Sequence, residues 1–106
     1  MKSVKPYDVN LIADYIIIRL NSDEKLNLIN LKLQKLLYYV QAWSLGINQE
    51  RFLKCDFEAW AHGPVSRVLY NRFKDTKNLY SFINETDVIN KNPEAEILKD
   101  DIDFIN

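Results

Sequence analysis

The chain has 106 residues, enough for one domain with a modest hydrophobic core. It carries 14 basic and 15 acidic residues, so it lacks the bulk positive charge that drives binding to phosphate backbones. A single cysteine cannot form an intramolecular disulfide, and the longest apolar run near the start is too short for a signal peptide or a membrane span; we therefore expect a cytoplasmic protein.

Charge is distributed unevenly along the chain. Residues 1–83 hold 12 basic and 8 acidic side chains, a net charge of +4, whereas residues 84–106 hold 2 and 7, a net charge of −5. This acidic final segment disfavours a nucleic-acid surface there.

The first predicted helix follows Pro6. Apolar residues recur at helical spacing from Val9 to Leu20, with Asp8 as the expected N-cap and Asn21 near the end.

A second helix is predicted from a cap at Asn30 to about Leu45. Gly46 is expected to end it, because glycine adopts the left-handed conformation of a helix C-terminus without steric cost. Apolar residues occupy two sides of this helix, so we expect it to be the central, buried helix.

Extended chain is predicted next. Between Gln49 and His62 apolar and polar residues alternate, which fits one short strand. Gly63 and Pro64 are then expected to open the third helix, since proline suits the first helical position; its apolar residues run to Phe73.

The last third of the chain is predicted to be mostly loop, with a short docked segment at residues 79–83. Asn92 is expected to cap Pro93 before a fourth helix marked by Leu98, Ile102 and Ile105. Because that stripe still runs at residue 106, we expect the natural domain to continue or another chain to complete this end. The expected fold is a mainly α, single-domain helical globule over residues 1–106, with a central buried helix and at most one short extended segment or small hairpin.

Catalytic and metal chemistry find little support in the sequence. Four possible metal ligands are near one another: Cys55, Asp56, Glu58 and His62. In an extended segment their side chains do not all point to the same side, which disfavours a zinc site. Cys55 and His62 lack a third group that would orient a nucleophile and its base. The isolated glycines exclude a glycine-rich phosphate loop. We therefore expect no cofactor, no metal and no enzyme activity.

A helix-turn-helix is the nucleic-acid alternative. The third helix offers Arg67, Asn71, Arg72 and Lys74 near its expected exposed face. The second helix is, however, too apolar and too long for a typical supporting helix. DNA binding by a transcriptional regulator stays as the second interpretation.

The stretch LKLQKLLYYVQAW, followed by FEAWAHGPVSRVLYNRFK, resembles the Panacea antitoxin domain, also known as the SocA-like antitoxin or phage-associated protein family. The resemblance rests on Leu31 to Tyr38 and on the later motif residues Glu58, Ala59, Trp60, Gly63, Pro64, Val65 and Tyr70. It implies a mostly helical globule that neutralises a toxin encoded beside it by direct protein contact. Some relatives instead act as adaptors that deliver the toxin to a protease, and family members usually continue into further C-terminal helices.

We expect the motif residues to fall into two groups, one that forms the scaffold of the fold and one that faces a partner. The scaffold group is Leu33, Leu36, Tyr38, Glu58, Trp60, Gly63 and Pro64. Within it, Trp60 is expected to close the core, and Glu58 to accept hydrogen bonds from the start of the third helix or to pair with Lys35.

The group expected to face a partner is Gln34, Lys35, Tyr39, Arg67 and Tyr70. Tyrosine is enriched at interfaces because it combines a large apolar area with a hydroxyl group, so an exposed tyrosine cluster would favour a partner site. The partners considered are a cognate toxin, a protease and a second copy of the chain.

Overall fold

The computed structural model describes residues 5–21, 28–61, 63–77, 80–83 and 85–105. Within them the chain forms a mainly helical fold with one small hairpin, which confirms the expected fold class at that level. The elements are α1 (Val9–Asn21), α2 (Asn30–Asn48), β1 (Phe57–Trp60), β2 (Gly63–Ser66), α3 (Arg67–Phe73) and α4 (Lys99–Ile105), with short 3-10 turns at Glu85–Asp87 and Pro93–Glu96.

Helix α1 lies deep in the core. Asp8 caps it as predicted, because its carboxylate Oδ1 accepts a hydrogen bond from the Asn10 N–H at 2.8 Å. Ile12, Ala13 and Ile17 are completely buried. Burial of these apolar side chains makes α1 part of the hydrophobic core.

Helix α2 buries one face only, so the expectation of a helix buried nearly all round is corrected. Leu33 and Leu37 are completely buried, whereas Tyr39 and Trp43 are 61% and 64% exposed. Tyr38 and Leu45, which made the sequence look apolar on a second side, are 38% and 46% exposed and also lie at the surface of the described structure.

The end of α2 also differs from the prediction. Gly46 stays helical, and Gln49 instead takes the left-handed conformation, with φ of 56°. At the other end Ile29, and not Asn30, occupies the N-cap position. Ile29 forms an antiparallel bridge with Phe82, so backbone pairing fixes this helix entry.

The two strands form an antiparallel hairpin in which Phe57 pairs with Ser66 and Trp60 with Gly63. The prediction that Gly63 and Pro64 open the third helix is therefore wrong. Pro64 is tolerated because both strands of a two-stranded sheet are edge strands. Helix α3 begins at Arg67, with the Ser66 hydroxyl accepting a hydrogen bond from the Leu69 N–H at 3.5 Å. His62, at the end of the predicted extended chain, lies outside the described residues.

A buried ion pair joins α1 to α3. Arg72 Nη2 lies 2.5 Å from Asp14 Oδ1, and the side chains of Asp14 and Arg72 are 2% and 8% exposed. The Asp14 carboxylate also accepts a hydrogen bond from the Asn90 N–H at 2.9 Å. Arg72 donates to the Asp87 carbonyl at 2.9 Å. Removing either partner of such a pair would leave an unpaired charge in the interior. The pair and its hydrogen bonds to Asp87 and Asn90 therefore hold the loop before α4 against the core.

The C-terminal segment docks through Tyr7. Its hydroxyl donates to Asp101 Oδ2 at 2.6 Å and accepts from the Leu98 N–H at 3.1 Å. Asp101 is thus buried, although it belongs to the acidic final segment of the chain. The predicted fourth helix is split, since Pro93 opens a 3-10 turn and α4 begins only at Lys99. The Asn92 side chain makes no cap bond to that turn.

The predicted docked segment is described only in part, because Leu79 lies outside the described residues. Ile83 is 2% exposed and belongs to the core, as expected of a docked residue. Phe82 is 60% exposed. None of the described helices is both long and apolar enough to cross a membrane.

Candidate partner-binding surface

The inner face of α2 fixes the hairpin through a buried amide. Gln34 is completely buried, so the expectation that it faces a partner is wrong. Its Oε1 accepts a hydrogen bond from the Ser66 N–H at 2.8 Å, and its Nε2 donates to the Ser66 carbonyl at 3.2 Å. This pairing satisfies buried backbone groups where β2 becomes α3, and it attaches both elements to α2.

Gln41, two helical turns further on, does the same for the preceding loop. Its Oε1 accepts from the Phe52 and Leu53 N–H groups, each at 2.9 Å. Its Nε2 donates to the Leu53 carbonyl at 3.2 Å. Ser44 adds a bond to the Glu50 carbonyl at 2.8 Å. The polar residues of the inner face therefore hold non-helical chain in place, a role that was not predicted from the sequence.

The opposite side of α2 carries large apolar side chains in water. Leu36, Tyr39, Trp43 and Ile47 recur at spacings of three and four residues, which places them in one row along the helix. Tyr39, Trp43 and Ile47 are 61%, 64% and 59% exposed, while Leu36 is half-buried against the core. We call this row the α2 outer face.

A second group of side chains, the hairpin cluster, consists of Glu58, Trp60, Arg67 and Tyr70. Arg67 donates two hydrogen bonds to the Glu58 carboxylate, at 3.2 and 3.0 Å, and Trp60 Nε1 donates a third at 3.1 Å. The Arg67 guanidinium lies 5.0 Å from the Trp60 ring centre, and the Tyr70 ring meets Trp60 edge-on at 4.9 Å. Each side chain thus contacts another of the group, which gives an ordered surface feature.

Electrostatics within the hairpin cluster follow from these contacts. The hydrogen bond from Arg67, together with that from Trp60, lowers the pKa of Glu58 below its usual value. The same contact raises the pKa of Arg67. Glu58 therefore pairs with Arg67. The expected partners, Lys35 or the N–H groups at the start of α3, are not the ones that it contacts. Trp60 is half-buried on the hairpin and does not belong to the core cluster.

The α2 outer face and the hairpin cluster are connected through Tyr38. Its ring lies 6.1 Å from that of Tyr39 and meets Phe57 of β1 edge-on at 5.5 Å. An open groove of about 350 Å³ lies between α2 and the hairpin, lined by Tyr38, Phe57, Glu58, Ala59, Trp60, Gly63 and Pro64. The structure thus brings Tyr39, Trp60 and the residues that contact Trp60 onto one surface.

Lys35 lies at the edge of this surface. A Cβ atom built on Gly63 would come within 3.3 Å of Lys35 Cε, so the lysine stem packs against the hairpin. Four of the five residues expected to face a partner, Lys35, Tyr39, Arg67 and Tyr70, are therefore at least partly exposed, and Gln34 is not.

Residues considered for other chemistry are placed differently. Cys55 is buried, and burial raises the pKa of its thiol, which opposes a nucleophilic role; His62 lies outside the described residues. Arg72, expected on an exposed face of a DNA-reading helix, is held in the ion pair with Asp14. In the described part of the chain no three His, Cys, Asp or Glu side chains are grouped so that they could hold a metal ion.

Comparison with protein families identifies the chain. The model of the family described as "Antitoxin SocA-like, Panacea domain" matches residues 33–106. The chain belongs to this family. The part that matches the SocA-like Panacea domain includes the hairpin cluster and the whole α2 outer face. Searches of curated proteins and of solved structures found no match.

Two exposed residues of the Panacea domain surface, Trp43 and Ile47, were not predicted from the sequence. Their spacing indicates their position, because Trp43 and Ile47 follow Tyr39 at intervals of four residues and so lie on the same face of α2. The expectation that this helix is buried nearly all round hid the significance of that spacing.

Proposed function

We propose that this Panacea-domain protein is an antitoxin that neutralises a protein toxin by direct contact through the α2 outer face and the hairpin cluster. Family membership supports the antitoxin role. The observation that carries the choice of surface is the exposure of Tyr39, Trp43 and Ile47 in one row. A contiguous row of large apolar side chains exposed on a small domain usually marks a surface that a partner covers.

The composition of this surface suits protein recognition. Tyrosine, tryptophan and arginine dominate the energetics of protein interfaces, and Tyr39, Trp43, Trp60 and Arg67 supply them here. The contacts of Arg67 with Glu58 and Trp60 hold its guanidinium in place before a partner arrives, which lowers the entropy lost on binding.

The experiment is a growth assay. Each open reading frame adjacent to this one in the source genome is expressed alone and together with this chain, and surviving cells are counted. We expect one neighbour to arrest growth and this chain to restore it. Absence of any toxic neighbour, or toxicity that persists in the presence of this chain, would refute the proposal.

The surface is then tested in the same assay. Tyr39→Ala combined with Trp43→Ala should abolish rescue. Ile89→Ala is the matched control, since Ile89 is an equally exposed apolar residue, at 69%, outside the proposed surface. Full rescue by the double variant would remove the α2 outer face from the proposal.

A further inference from the structure

An apolar groove with two lysines opens near the N-terminal end of α2. It has a volume of about 280 Å³ and is lined by Ile29, Leu31, Lys32, Lys35, Leu36 and Tyr39. We call it the lysine groove. It shares Leu36 and Tyr39 with the α2 outer face, so a partner that covers that face also reaches this groove.

The two lysines lack acidic partners within the described residues. Among the described cations, those at positions 5, 51, 67, 72 and 77 each lie within 4.0 Å of a carboxylate oxygen, whereas Lys32 and Lys35, like Lys54, Lys74 and Lys99, are in no such pair. Helix α2 itself contains no acidic residue. Two positive charges therefore border an apolar groove without neutralisation from neighbouring described side chains.

The place of Lys32 on the helix is unfavourable for a cation in the free protein. Lys32 lies in the first turn of α2, where the helix dipole is positive and favours anions over cations, and Lys35 follows in the second turn. The first turn has no acidic residue, and Ile29 provides no side-chain cap. Incoming carboxylates would therefore interact favourably both with the two ammonium groups and with the helix end.

Lys35 is also held in position. Its stem packs against the hairpin at Gly63, where an added Cβ would lie 3.3 Å from Lys35 Cε. Packing along the stem restricts the side chain before binding, so less rotamer entropy is lost when its ammonium group meets a carboxylate.

We propose that the lysine groove binds an acidic segment of the partner protein, with an apolar side chain inserted between Ile29, Leu31 and Leu36 and flanking carboxylates on Lys32 and Lys35. That the partner is a toxin rests on the proposed function. Charge complementarity and the apolar walls together select a protein segment. An oligonucleotide would use the lysines but leave the apolar walls in water.

The test uses random twelve-residue peptides displayed on phage and selected against the immobilised full chain. We expect enrichment of peptides in which an apolar residue is bordered by Asp or Glu. Lys32→Glu with Lys35→Glu should weaken their binding at least tenfold. Lys74→Glu with Lys99→Glu is the matched control, because it makes the same change in net charge at exposed lysines elsewhere and should leave binding unchanged.

Circular dichroism of each variant shows whether it is folded, and Lys32→Gln with Lys35→Gln gives a milder change at the same positions. Absence of acidic peptides, or equal binding by the Lys32 and Lys35 variants, overturns the inference. So does preferential binding of a single-stranded oligonucleotide through these lysines, or a dimer of the chain that these substitutions dissociate.

A second measurement separates this inference from the proposed function. If the toxin is neutralised equally well by wild type and by Lys32→Glu with Lys35→Glu, the antitoxin role stands and the lysine groove is refuted. If the groove is correct, toxin variants selected to restore rescue with the doubly substituted chain should replace Asp or Glu by neutral or basic residues. If no neighbour is toxic but acidic peptides still bind through the lysines, the groove stands and the antitoxin role fails.

Discussion

Gln34 pairs with both backbone polar groups of Ser66. The amide oxygen accepts from the Ser66 N–H at 2.8 Å and the amide nitrogen donates to the Ser66 carbonyl at 3.2 Å, with both residues completely buried. A side chain on α2 thereby fixes the point at which the hairpin ends and α3 begins. The position of the hairpin cluster depends on this contact.

Replacing Gln34 by alanine should therefore destabilise the fold. The substitution leaves the N–H and carbonyl of Ser66 buried without their partner, which costs about 1–3 kcal/mol of unfolding free energy. Urea denaturation measures the loss. Asn71→Ala, at an exposed position of α3, is the control and should change stability by no more than about 0.5 kcal/mol. Similar effects of both substitutions would contradict the structural role of Gln34.

The two glycines of the chain should respond oppositely to alanine. Gly63 has φ of +127° and lies against Lys35, so Gly63→Ala should cost about 1–3 kcal/mol. Gly46 is helical with open space around it, so Gly46→Ala should stabilise the protein by about 0.5–1 kcal/mol. Thermal unfolding of the two variants gives the comparison. A stability loss at both positions would show that Gly46 is not an ordinary helical residue.

Tyr7 should make stability depend on pH in the alkaline range. Burial raises the pKa of its hydroxyl from 10.0 to about 12, and the hydrogen bond to Asp101 acts in the same direction. Because the folded pKa is above the unfolded one, this stabilisation is complete below pH 10 and is lost as the pH rises through about 12.

Unfolding of wild type and Tyr7→Phe across this pH range measures the effect. The variant should lose about 1.5–3 kcal/mol at neutral pH, since the hydrogen bond has a carboxylate acceptor. The difference between the two proteins should then shrink at high pH. A difference that stays constant to pH 12 would exclude ionisation of Tyr7 as the cause.

The Glu58 carboxylate should report on the integrity of the hairpin cluster. Arg67→Gln removes the charged donor that holds the pKa of Glu58 low, so this pKa should rise toward its usual value. Carbon-detected NMR titration of the labelled carboxylate measures it. Arg51→Gln is the control, because Arg51 pairs with Asp56 and should leave the Glu58 titration unchanged.

The sequence predicts the helical elements well where periodicity and capping agree, as in α1 with its Asp8 cap. It fails where tertiary contacts override local preference. Gly63 and Pro64 have the composition of a helix start, yet strand pairing with Trp60 and Ala59 places them in β2. Family motifs could be read from the residues, and the family match confirms that reading.

Predicting the site from sequence was harder, because residue type does not reveal which face of α2 is buried. Gln34 is polar but completely buried, since its amide can satisfy two backbone groups, whereas Trp43 is apolar but exposed. A polar residue that recurs on the inner face together with Leu33 and Leu37 is the signal that could have identified Gln34 as a structural residue.

The most direct test of the central claim is the affinity of the purified toxin for the wild-type chain and for Tyr39→Ala with Trp43→Ala, measured by isothermal titration calorimetry. We expect the double variant to lose at least about 2 kcal/mol of binding free energy, roughly a 30-fold increase in Kd, with its thermal stability unchanged. Ile89→Ala should bind like wild type. Equal affinity of the double variant and wild type would contradict the claim that the α2 outer face binds the toxin.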